Sequence, residues 1–307
     1  MSQLLIIPKI KIQNANAVSS PYTIGFPAMT AWLGGVHALQ RKLNANGYSE
    51  LQFNRVGIVS HAFELQASEL EYDRKLKLVK RSITSKAPKV SSIADFLNGG
   101  QPPIIPEGRC HLTVSLIIEY SHLSDRVDDE DFKKAVANQL HSGMKLASGD
   151  IINFEPLDLK SISEMDYDGE AMRKLTQTLM PSYALIERRD LMIDAMKQGQ
   201  DSIDSLLNYL KIIHECKKDD ETEKVTWLKP TRKAKGCWIV PIATGFQGLT
   251  DLKDHTAGQR DSTTHHRFAE SIITLGEFKM IYRLETLDEL LWQYKKENDL
   301  YLCTQQI

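Results

Sequence analysis

The stretch IKIQNANAVSSPYTIGFP, residues 10–27, joins a short apolar segment at 4–7 to an amphipathic segment at 28–43. Connections between a strand and a helix are usually shorter than this. Its residue types include amides, hydroxyls, small residues and two prolines. The amides and hydroxyls offer uncharged hydrogen-bond donors and acceptors for phosphates, riboses and base edges. The alternative is a turn-rich loop whose asparagines bond to their own backbone, and composition alone favours it. In either case the stretch separates the first predicted strand from the first predicted helix.

Length and composition indicate a folded protein of one large domain or two small ones. Of the 307 residues, 42% are hydrophobic and 25% are charged, and the formal net charge is −2. We expect no membrane segment and no signal peptide, because no long apolar run and no charged-then-apolar N-terminus occur. The four cysteines are scattered without a CxxC pair, so a reducing cytoplasm is the expected location.

Charge is distributed unevenly along the chain. Residues 1–61 contain five basic residues and one acidic residue, and residues 74–109 contain eight basic residues and two acidic ones. Acidic residues dominate two later segments, 125–131 and 164–170. Separate basic and acidic regions suit a subunit that contacts nucleic acid on one side. Ordinary solvated surface produces the same pattern, and that alternative stays open.

The first 160 residues predict a mixed body. Periodicity indicates strands at 3–12, 51–65, 111–120 and 151–159 and helices at 28–43 and 129–144. An arm at 69–109 lies between the second and third strands, so the order is strand, helix, strand, arm, strand, helix, strand. The arm opens with alternating lysines and leucines and ends in glycines and prolines, which is typical of a projecting basic ribbon. This order is the split βαβ arrangement of ferredoxin-like and RNA-recognition folds, so the predicted fold class is α+β.

The remaining residues divide into two predicted parts. Residues 161–235 are expected to form a helical insertion and a charged connection, with Pro181 between the helices. Residues 236–307 are expected to form a C-terminal α/β part that packs on the body. Its predicted elements are a strand at 236–241, a loop with Gly245, Phe246 and Gly248, a helix at 267–275, a strand at 277–283, a helix at 286–296 and a last strand in LYLCT at 300–304.

Catalytic and metal-binding chemistry has little support in the sequence. His37 and His61 could serve as general acid and base of a metal-free endoribonuclease, but a helix and a core strand are predicted to carry them, which favours structural roles. His255, His265 and His266 lack a carboxylate or cysteine at a ligand spacing. Motifs of serine hydrolases, P-loop proteins and dinucleotide-binding proteins do not occur. We therefore expect no catalytic residue, no metal and no cofactor.

RNA binding is favoured by three converging features: the predicted element order, the amide-rich stretch and the basic arm. Tyr22, Phe26 and Trp32 could stack on bases. Core packing is the alternative for all three, and it is favoured for Trp32. Lysines and arginines of the arm would bind phosphate through salt-dependent contacts.

A set of short segments resembles one known family over nearly the whole chain. The N-terminal segments are IQNANA (12–17), SSP (19–21), GFP (25–27) and GVHALQR (35–41). Further segments are VGIV (56–59), His61, HL (111–112), Pro181, WIVP (238–241), RF (267–268), LGE (275–277) and LW (291–292). Together they resemble the Csy2-type subunits of the type I-F CRISPR surveillance complex, which are Cas5-like members of the RAMP superfamily.

The resemblance implies a RAMP fold with an RNA-recognition-like body, an inserted basic arm and a helical region. It implies a non-catalytic role, since type I-F complexes leave RNA processing to a separate Csy4-type endonuclease, although other Cas5-like relatives cleave RNA. Such subunits hold the 5′ handle of the CRISPR RNA, pair with a large Csy1-type subunit and contact a Csy3-type backbone subunit. Target DNA and anti-CRISPR proteins are further candidate partners, and no membrane is implied.

The resemblance assigns RNA contact to five residues of the first motif: Gln13, Asn14, Asn16, Ser19 and Ser20. Charge alone adds five residues of the arm: Arg74, Lys75, Lys77, Lys80 and Arg81. Arg260 and Arg267, near the glycine-bearing loop, are further candidates. The competing hypotheses are a metal-free endoribonuclease that processes CRISPR RNA and a scaffold that binds only protein.

Overall fold

The computed structural model describes residues 3–69, 76–82, 104–124, 127–162, 170–211, 216–218, 225–227, 237–259, 261 and 263–305. Within these ranges the helices are α1 (Met29–Ala45), α2 (Asp129–His141), α3 (Glu170–Leu179), α4 (Arg189–Lys197) and α5 (Ser202–Leu210), with a 3₁₀ turn at Ile281–Arg283. None of the described helices has the length and apolar run needed to span a bilayer.

The strands in the first half of the chain are β1 (Gln3–Asn16), β2 (Val18–Ser20), β3 (Thr23–Ile24), β4 (Gln52–Glu69), β5 (Leu76–Ser82), β6 (Ile104–Glu107), β7 (Arg109–Ser121), β8 (Lys145–Leu146) and β9 (Gly149–Asn153). Those that follow are β10 (Asp158–Ser161), β11 (Tyr183–Glu187), β12 (Cys216–Lys218), β13 (Val225–Trp227), β14 (Ile239–Gly248), β15 (Ala269–Met280), β16 (Leu291–Glu297) and β17 (Leu300–Gln305).

Strands β1, β7 and β4 form the centre of a sheet of thirteen described strands. β7 pairs antiparallel with β1 on one side and with β4 on the other along nearly its whole length. β9 extends the sheet beyond β1, and β16, β17, β14 and β15 extend it beyond β4. The α+β class predicted from the sequence is confirmed.

The two faces of the central strands are covered unequally. Helices α1 and α2 pack against one face along its length, and their buried residues include Trp32 and Phe132. On the opposite face, helix α3 and the segment before β16 cover Leu4, Ile6 and Ile117. This second cover reaches only one end of the sheet, and no described helix covers the other end of that face, called the open face below.

Along strand β1, the sheet changes from being covered on both faces to being covered on one face. Residues 4–7 are all buried, as expected for a strand with both faces covered. Further along, Ile10 and Ile12 are buried against the helices, whereas Lys11 and Gln13 are exposed. Because side chains alternate across a strand, this change from a continuous apolar run to alternation marks where the open face begins.

Most predictions for the body are confirmed, with one correction in the opening stretch. α1 and α2 form as predicted, and strands cover 51–65 and 111–120. Residues 10–27 are not a long loop: β1 stays paired with β7 as far as Asn16, and β2 and β3 form a short hairpin. Ile10, Ile12 and Ala15 are buried, so the apolar positions needed for a strand continue within the amide-rich stretch.

The predicted basic arm is described in part. β5 pairs with the end of β4, and β6 pairs with β5, so the ends of the arm are strands. Residues 70–75 and 83–103 of the arm lie outside the described residues. The strand predicted at 151–159 is two strands, β9 and β10, which pair with different parts of β1.

Several predictions for the second half are wrong. The helices predicted at 267–275 and 286–296 are replaced by strands β15 and β16, and the loop predicted around Gly245 lies within β14. A Cβ at Gly245 would overlap the Tyr301 carbonyl oxygen, so this glycine permits close approach of β14 and β17. Short apolar runs do not distinguish a buried strand from a helix. Pairing between distant segments decides these elements.

The predicted helical insertion also contains a strand. β11 lies between α3 and α4 and pairs antiparallel with both β15 and β4. Trp292 of β16 is fully buried and donates a hydrogen bond of 2.9 Å from Nε1 to the Leu185 carbonyl oxygen of β11. The second half is therefore tied into the central sheet, while the boundaries proposed at 160 and 235 stay predictions.

Removing the buried side chain that links the two halves should destabilise the fold. Ile117 of β7 is fully buried against residues of β1, α3 and β11. We expect Ile117→Ala to lower the free energy of unfolding by about 2–5 kcal/mol, because the cavity it leaves adds to the lost apolar burial. Urea denaturation of the purified chain measures this. Ile152→Ala, at an exposed position of β9, is the control and should change stability by about 0.5 kcal/mol or less.

Candidate nucleic-acid interface

The open half of the sheet carries a cleft of about 400 Å³ where β1, β7 and β4 run side by side. Lys11 of β1 lies opposite Thr113 of β7, which in turn lies opposite Ala62 of β4. In the adjoining row, His111 of β7 lies opposite Glu64 of β4. The neighbouring residues of β1 and β7 are buried against α1 and α2, so the alternate side chains face solvent together.

The lining of this cleft combines one lysine, one carboxylate and several uncharged polar groups. Lys11 is exposed and has no carboxylate partner in the part of the chain that the structure describes. The Nδ1 of His111 accepts a 3.2 Å hydrogen bond from the Asn14 backbone N–H, which leaves Nε2–H as the donor of that ring. Glu64 supplies the exposed negative charge. A cation beside uncharged donors and acceptors can hold a phosphate together with sugar or base edges.

Gln13 and Asn14 lie at one end of the cleft, where β1 bulges between Ile12 and Ala15. Gln13 lines the cleft, and both side chains are exposed. Asn14 has a φ of 57°, a left-handed conformation that asparagine tolerates better than most residues. Within the described ranges, neither side-chain amide has a hydrogen-bond partner, so both are available to a ligand.

Asn16, Ser19 and Ser20 of the same motif are engaged within the chain. The side-chain amide of Asn16 donates to the Val18 carbonyl oxygen at 3.0 Å and accepts from the Val18 N–H at 3.2 Å. The Thr23 hydroxyl lies 2.8 Å from Ser19 Oγ and 2.6 Å from Ser20 Oγ. Ser20 is only 6% exposed. These three residues shape the β2–β3 hairpin, and their contact with RNA stays a prediction.

The remaining predicted residues that the structure describes do not line the cleft. Lys77, Lys80 and Arg81 belong to β5, whereas Arg74, Lys75 and Arg260 lie outside the described residues. Arg267 donates from Nε to the Thr250 carbonyl oxygen and from Nη2 to Asp299 Oδ1, each at 2.9 Å. Its guanidinium group therefore already braces two turns of the sheet.

Of the predicted stacking residues, two belong to the core. Trp32 and Phe26 are buried, and their rings stack on each other with centroids 5.6 Å apart. Tyr22 is 79% exposed. Two exposed rings that the sequence did not single out for stacking, Phe63 and Trp238, line a cavity beside β4. Phe63 lies opposite Leu112, on the side of the sheet that the helices cover. A bulge in β4 between Ser60 and Ala62 interrupts the alternation there, so periodicity gave no signal for Phe63.

The two histidines of the ribonuclease hypothesis lie on opposite faces of the sheet. His61 Nε2 is 2.7 Å from the Ser115 hydroxyl, and its Nδ1 is 3.3 Å from the Pro181 carbonyl oxygen. Ser115 Oγ also accepts a 2.9 Å hydrogen bond from the Lys9 backbone N–H. His37 lies on α1 at an exposed position, on the helix-covered side. The two rings therefore cannot act together as acid and base on one phosphate.

The histidines near residue 260 make local contacts. His265 Nδ1 lies 2.8 Å from Asp254 Oδ1, and His266 Nδ1 lies 2.9 Å from the Thr264 carbonyl oxygen. In the ranges described here, no three His, Cys, Asp or Glu side chains converge as a metal site would require.

Comparison with known proteins identifies a family and a similar protein. The family described as CRISPR-associated protein (Cas_Csy2) matches residues 5–303. The chain is 32% identical, over 323 aligned residues, to "CRISPR-associated protein Csy2" of Pseudomonas aeruginosa strain UCBPP-PA14. That alignment covers 96% of this chain and 92% of the relative.

The buried position of His61 predicts a pH dependence of stability. Burial lowers the pKa of His61 below its usual 6.5, and this effect is larger than the opposite effect of the hydrogen bond to Pro181, which raises the pKa. As the pH falls, the unfolded chain therefore binds a proton at this histidine before the folded chain does. The folded state loses stability as the pH falls below about 6.5. We expect the free energy of unfolding to decrease more for the wild type than for His61→Gln between about pH 6.5 and pH 5. Urea titrations of both proteins measure this, and equal decreases would contradict it.

Proposed function

The chain belongs to the Csy2 family of CRISPR-associated proteins, and we propose that it holds the 5′ handle of the CRISPR RNA on the open face of its sheet. Family membership makes it a component of the type I-F Csy complex, which acts in antiviral defence. The proposal concerns what this subunit does within that complex and which of its residues do it.

The observation that carries the proposal is the cleft formed by β1, β7 and β4. Lys11 offers a cation that has no carboxylate partner among the described residues, and Gln13 and Asn14 offer amides without intramolecular partners there. This combination suits a single strand whose phosphate and base edges are both contacted. The amides belong to the motif that carries the resemblance to the family, so geometry and sequence similarity favour the same region.

The strand order supports a ferredoxin-like RAMP body. Chain order runs β1, α1, β4, β7, α2, β9, while order across the sheet runs β9, β1, β7, β4 with all neighbours antiparallel. Both helices pack on one face, and the part of the other face that α3 does not cover is available, as in RNA-recognition folds. Likeness of fold does not assign a function by itself, and the side chains of the cleft carry that part of the proposal.

We assign the subunit a non-catalytic role and two protein partners, the large Csy1-type and the backbone Csy3-type subunits. Separation of His37 from His61 across the sheet argues against a two-histidine nuclease. Helices α4 and α5 offer a surface for a protein partner, because each exposes large apolar side chains: Ile193, Met196, Ile203 and Leu207. Target DNA and anti-CRISPR proteins remain candidate partners without assigned residues.

Co-purification tests the function directly. The tagged chain is expressed with the large subunit and a CRISPR array, and any retained RNA is sequenced. Retained RNAs that share one 5′ handle support the proposal. Retention of the partner without RNA favours the scaffold hypothesis, and shortening of handle RNA by the isolated chain favours the endoribonuclease.

Charge substitutions in the cleft should change RNA affinity in opposite directions. We expect Lys11→Gln to weaken binding and to reduce the slope of log affinity against log salt by about 0.7, because one phosphate contact is lost. Glu64→Gln should strengthen binding, since it removes the negative charge from the same lining. Both variants carry the same new side chain, so each controls for the other. Fluorescence anisotropy with handle RNA at several salt concentrations measures both, and changes of equal sign would contradict the cleft assignment.

The amide motif predicts a second effect that depends less on salt. We expect Gln13→Ala combined with Asn14→Gly to weaken handle binding while leaving the salt slope unchanged, because neutral hydrogen bonds are lost. Glycine at position 14 keeps the left-handed backbone that alanine would strain. Asn16→Ala is measured separately: it removes the bonds to Val18 and should lower thermal stability, and its effect on handle binding tests the predicted RNA contact of Asn16. Wild-type affinity of the double variant would exclude these amides.

A further inference from the structure

A second cavity adjoins the polar cleft on the same part of the sheet. It has a volume of about 380 Å³ and lies between the β3 segment, β4 and the start of β14. Ala62 and Phe63 of β4 line both this cavity and the cleft that contains Lys11 and Gln13. Phe63 lies opposite Leu112, which is buried against the helices, so the pocket and the cleft lie on either side of β4. They meet at the edge of β4, where residues 61–66 have no described partner strand other than β7. A ligand that lies in the cleft can therefore extend a group around this edge into the pocket.

The walls of this second cavity are aromatic and held rigidly. Trp238 is 52% exposed, and its ring centroid lies 5.1 Å from that of Phe278 and 5.3 Å from that of Tyr183. Phe63 is 42% exposed, and its ring lies 6.3 Å from the buried ring of Phe26. Each exposed ring is thus braced from behind by a less exposed ring. Such rings offer stacking surface at little cost in conformational entropy.

The second cavity is also uncharged. Among the described residues, its lining contains no Lys, Arg, Asp or Glu side chain. His61 contributes a ring whose pKa is lowered by burial, which favours the neutral form. Ser60 supplies a hydroxyl at the wall. A phosphate would find no counter-charge here, whereas a flat and neutral heterocycle would find aromatic surface and polar groups at its edges.

We propose that this aromatic pocket, defined by Phe63 and Trp238, receives one unstacked nucleobase of the RNA whose backbone lies in the neighbouring cleft. The inference rests on the proposed function, since it takes the RNA in the cleft as given. Lys11 and the amides contact the RNA backbone in the cleft, and the base passes around the edge of β4 and stacks on the exposed rings of the pocket. An apolar side chain of a protein partner is the competing occupant.

The test combines single abasic substitutions in the RNA with pocket variants of the full chain. The RNA is the 5′ handle sequence recovered by co-purification, synthesised intact and with one base removed at each position in turn. The variants are Phe63→Leu and Trp238→Leu, which keep apolar volume and remove the aromatic ring. Matched controls are Phe268→Leu and Trp227→Leu, exposed rings outside the pocket lining. Thermal unfolding shows that each variant remains folded.

Loss of the base at one position of the handle should weaken binding more than loss of any other base. Removal of that base is expected to weaken binding to the wild type by roughly 5- to 150-fold, the range for loss of one base–aromatic stack. The pocket variants should bind intact RNA more weakly by a similar factor and should no longer distinguish intact RNA from RNA lacking that base. The control variants should behave as the wild type does.

Different failures have different meanings. If Lys11→Gln weakens binding as proposed but both pocket variants bind intact RNA with wild-type affinity, the nucleobase assignment is wrong and the proposed function stands. Loss of a co-purified protein partner from those variants would then identify a protein side chain as the occupant. If the wild type does not bind the intact RNA, the proposed function and this inference fail together.

Discussion

Strand β7 is hydrogen-bonded along nearly its whole length to β1 on one side and to β4 on the other, and the remaining architecture follows from this double pairing. A central strand has no free edge, so the register of both neighbours is set by it and by the bulges at which they depart from it. Those bulges occur in β1 after Ile7 and Ile12 and in β4 after Phe53 and Ser60. The ones after Ile12 and Ser60 lie next to residues that matter for the candidate site. The positions of Lys11 and Gln13 on the open face, and of Phe63 at the neighbouring pocket, are therefore consequences of how three strands align.

Unequal covering of the sheet turns this alignment into a possible binding surface. The helices α1 and α2 bury one face completely, whereas α3 and the segment before β16 bury only part of the other. His61 marks the boundary, because it links Ser115 of β7 to the Pro181 carbonyl oxygen between α3 and β11. Its hydrogen bonds and burial favour a structural role, which agrees with the proposed non-catalytic function. Beyond this boundary the sheet is free to carry polar side chains without loss of core packing.

The candidate interface separates charge from aromatic surface. Lys11 and Glu64 lie in the cleft, while the described lining of the adjoining pocket consists of rings and other uncharged side chains. This separation follows from solvation: a cation needs water or an anion beside it, whereas exposed rings bind best where water is easily displaced. A single-stranded nucleic acid has the same division between its phosphates and its bases. Because the cleft and the pocket match the phosphates and the bases in this way, we treat them as one interface.

The sequence by itself determined the α+β class, the two helices of the body, its central strands and the family, because periodicity and local motifs are properties of neighbouring residues. It also directed attention to Gln13 and Asn14. It did not distinguish the strands β11, β15 and β16 from helices, since short apolar runs acquire their conformation from partners far along the chain. Nor did it indicate that Asn16 and Ser20 are engaged in a hairpin, or that Phe63 and Trp238 share a pocket although 175 positions separate them in the chain. Only tertiary structure decided these points, because burial and proximity depend on how distant strands pair.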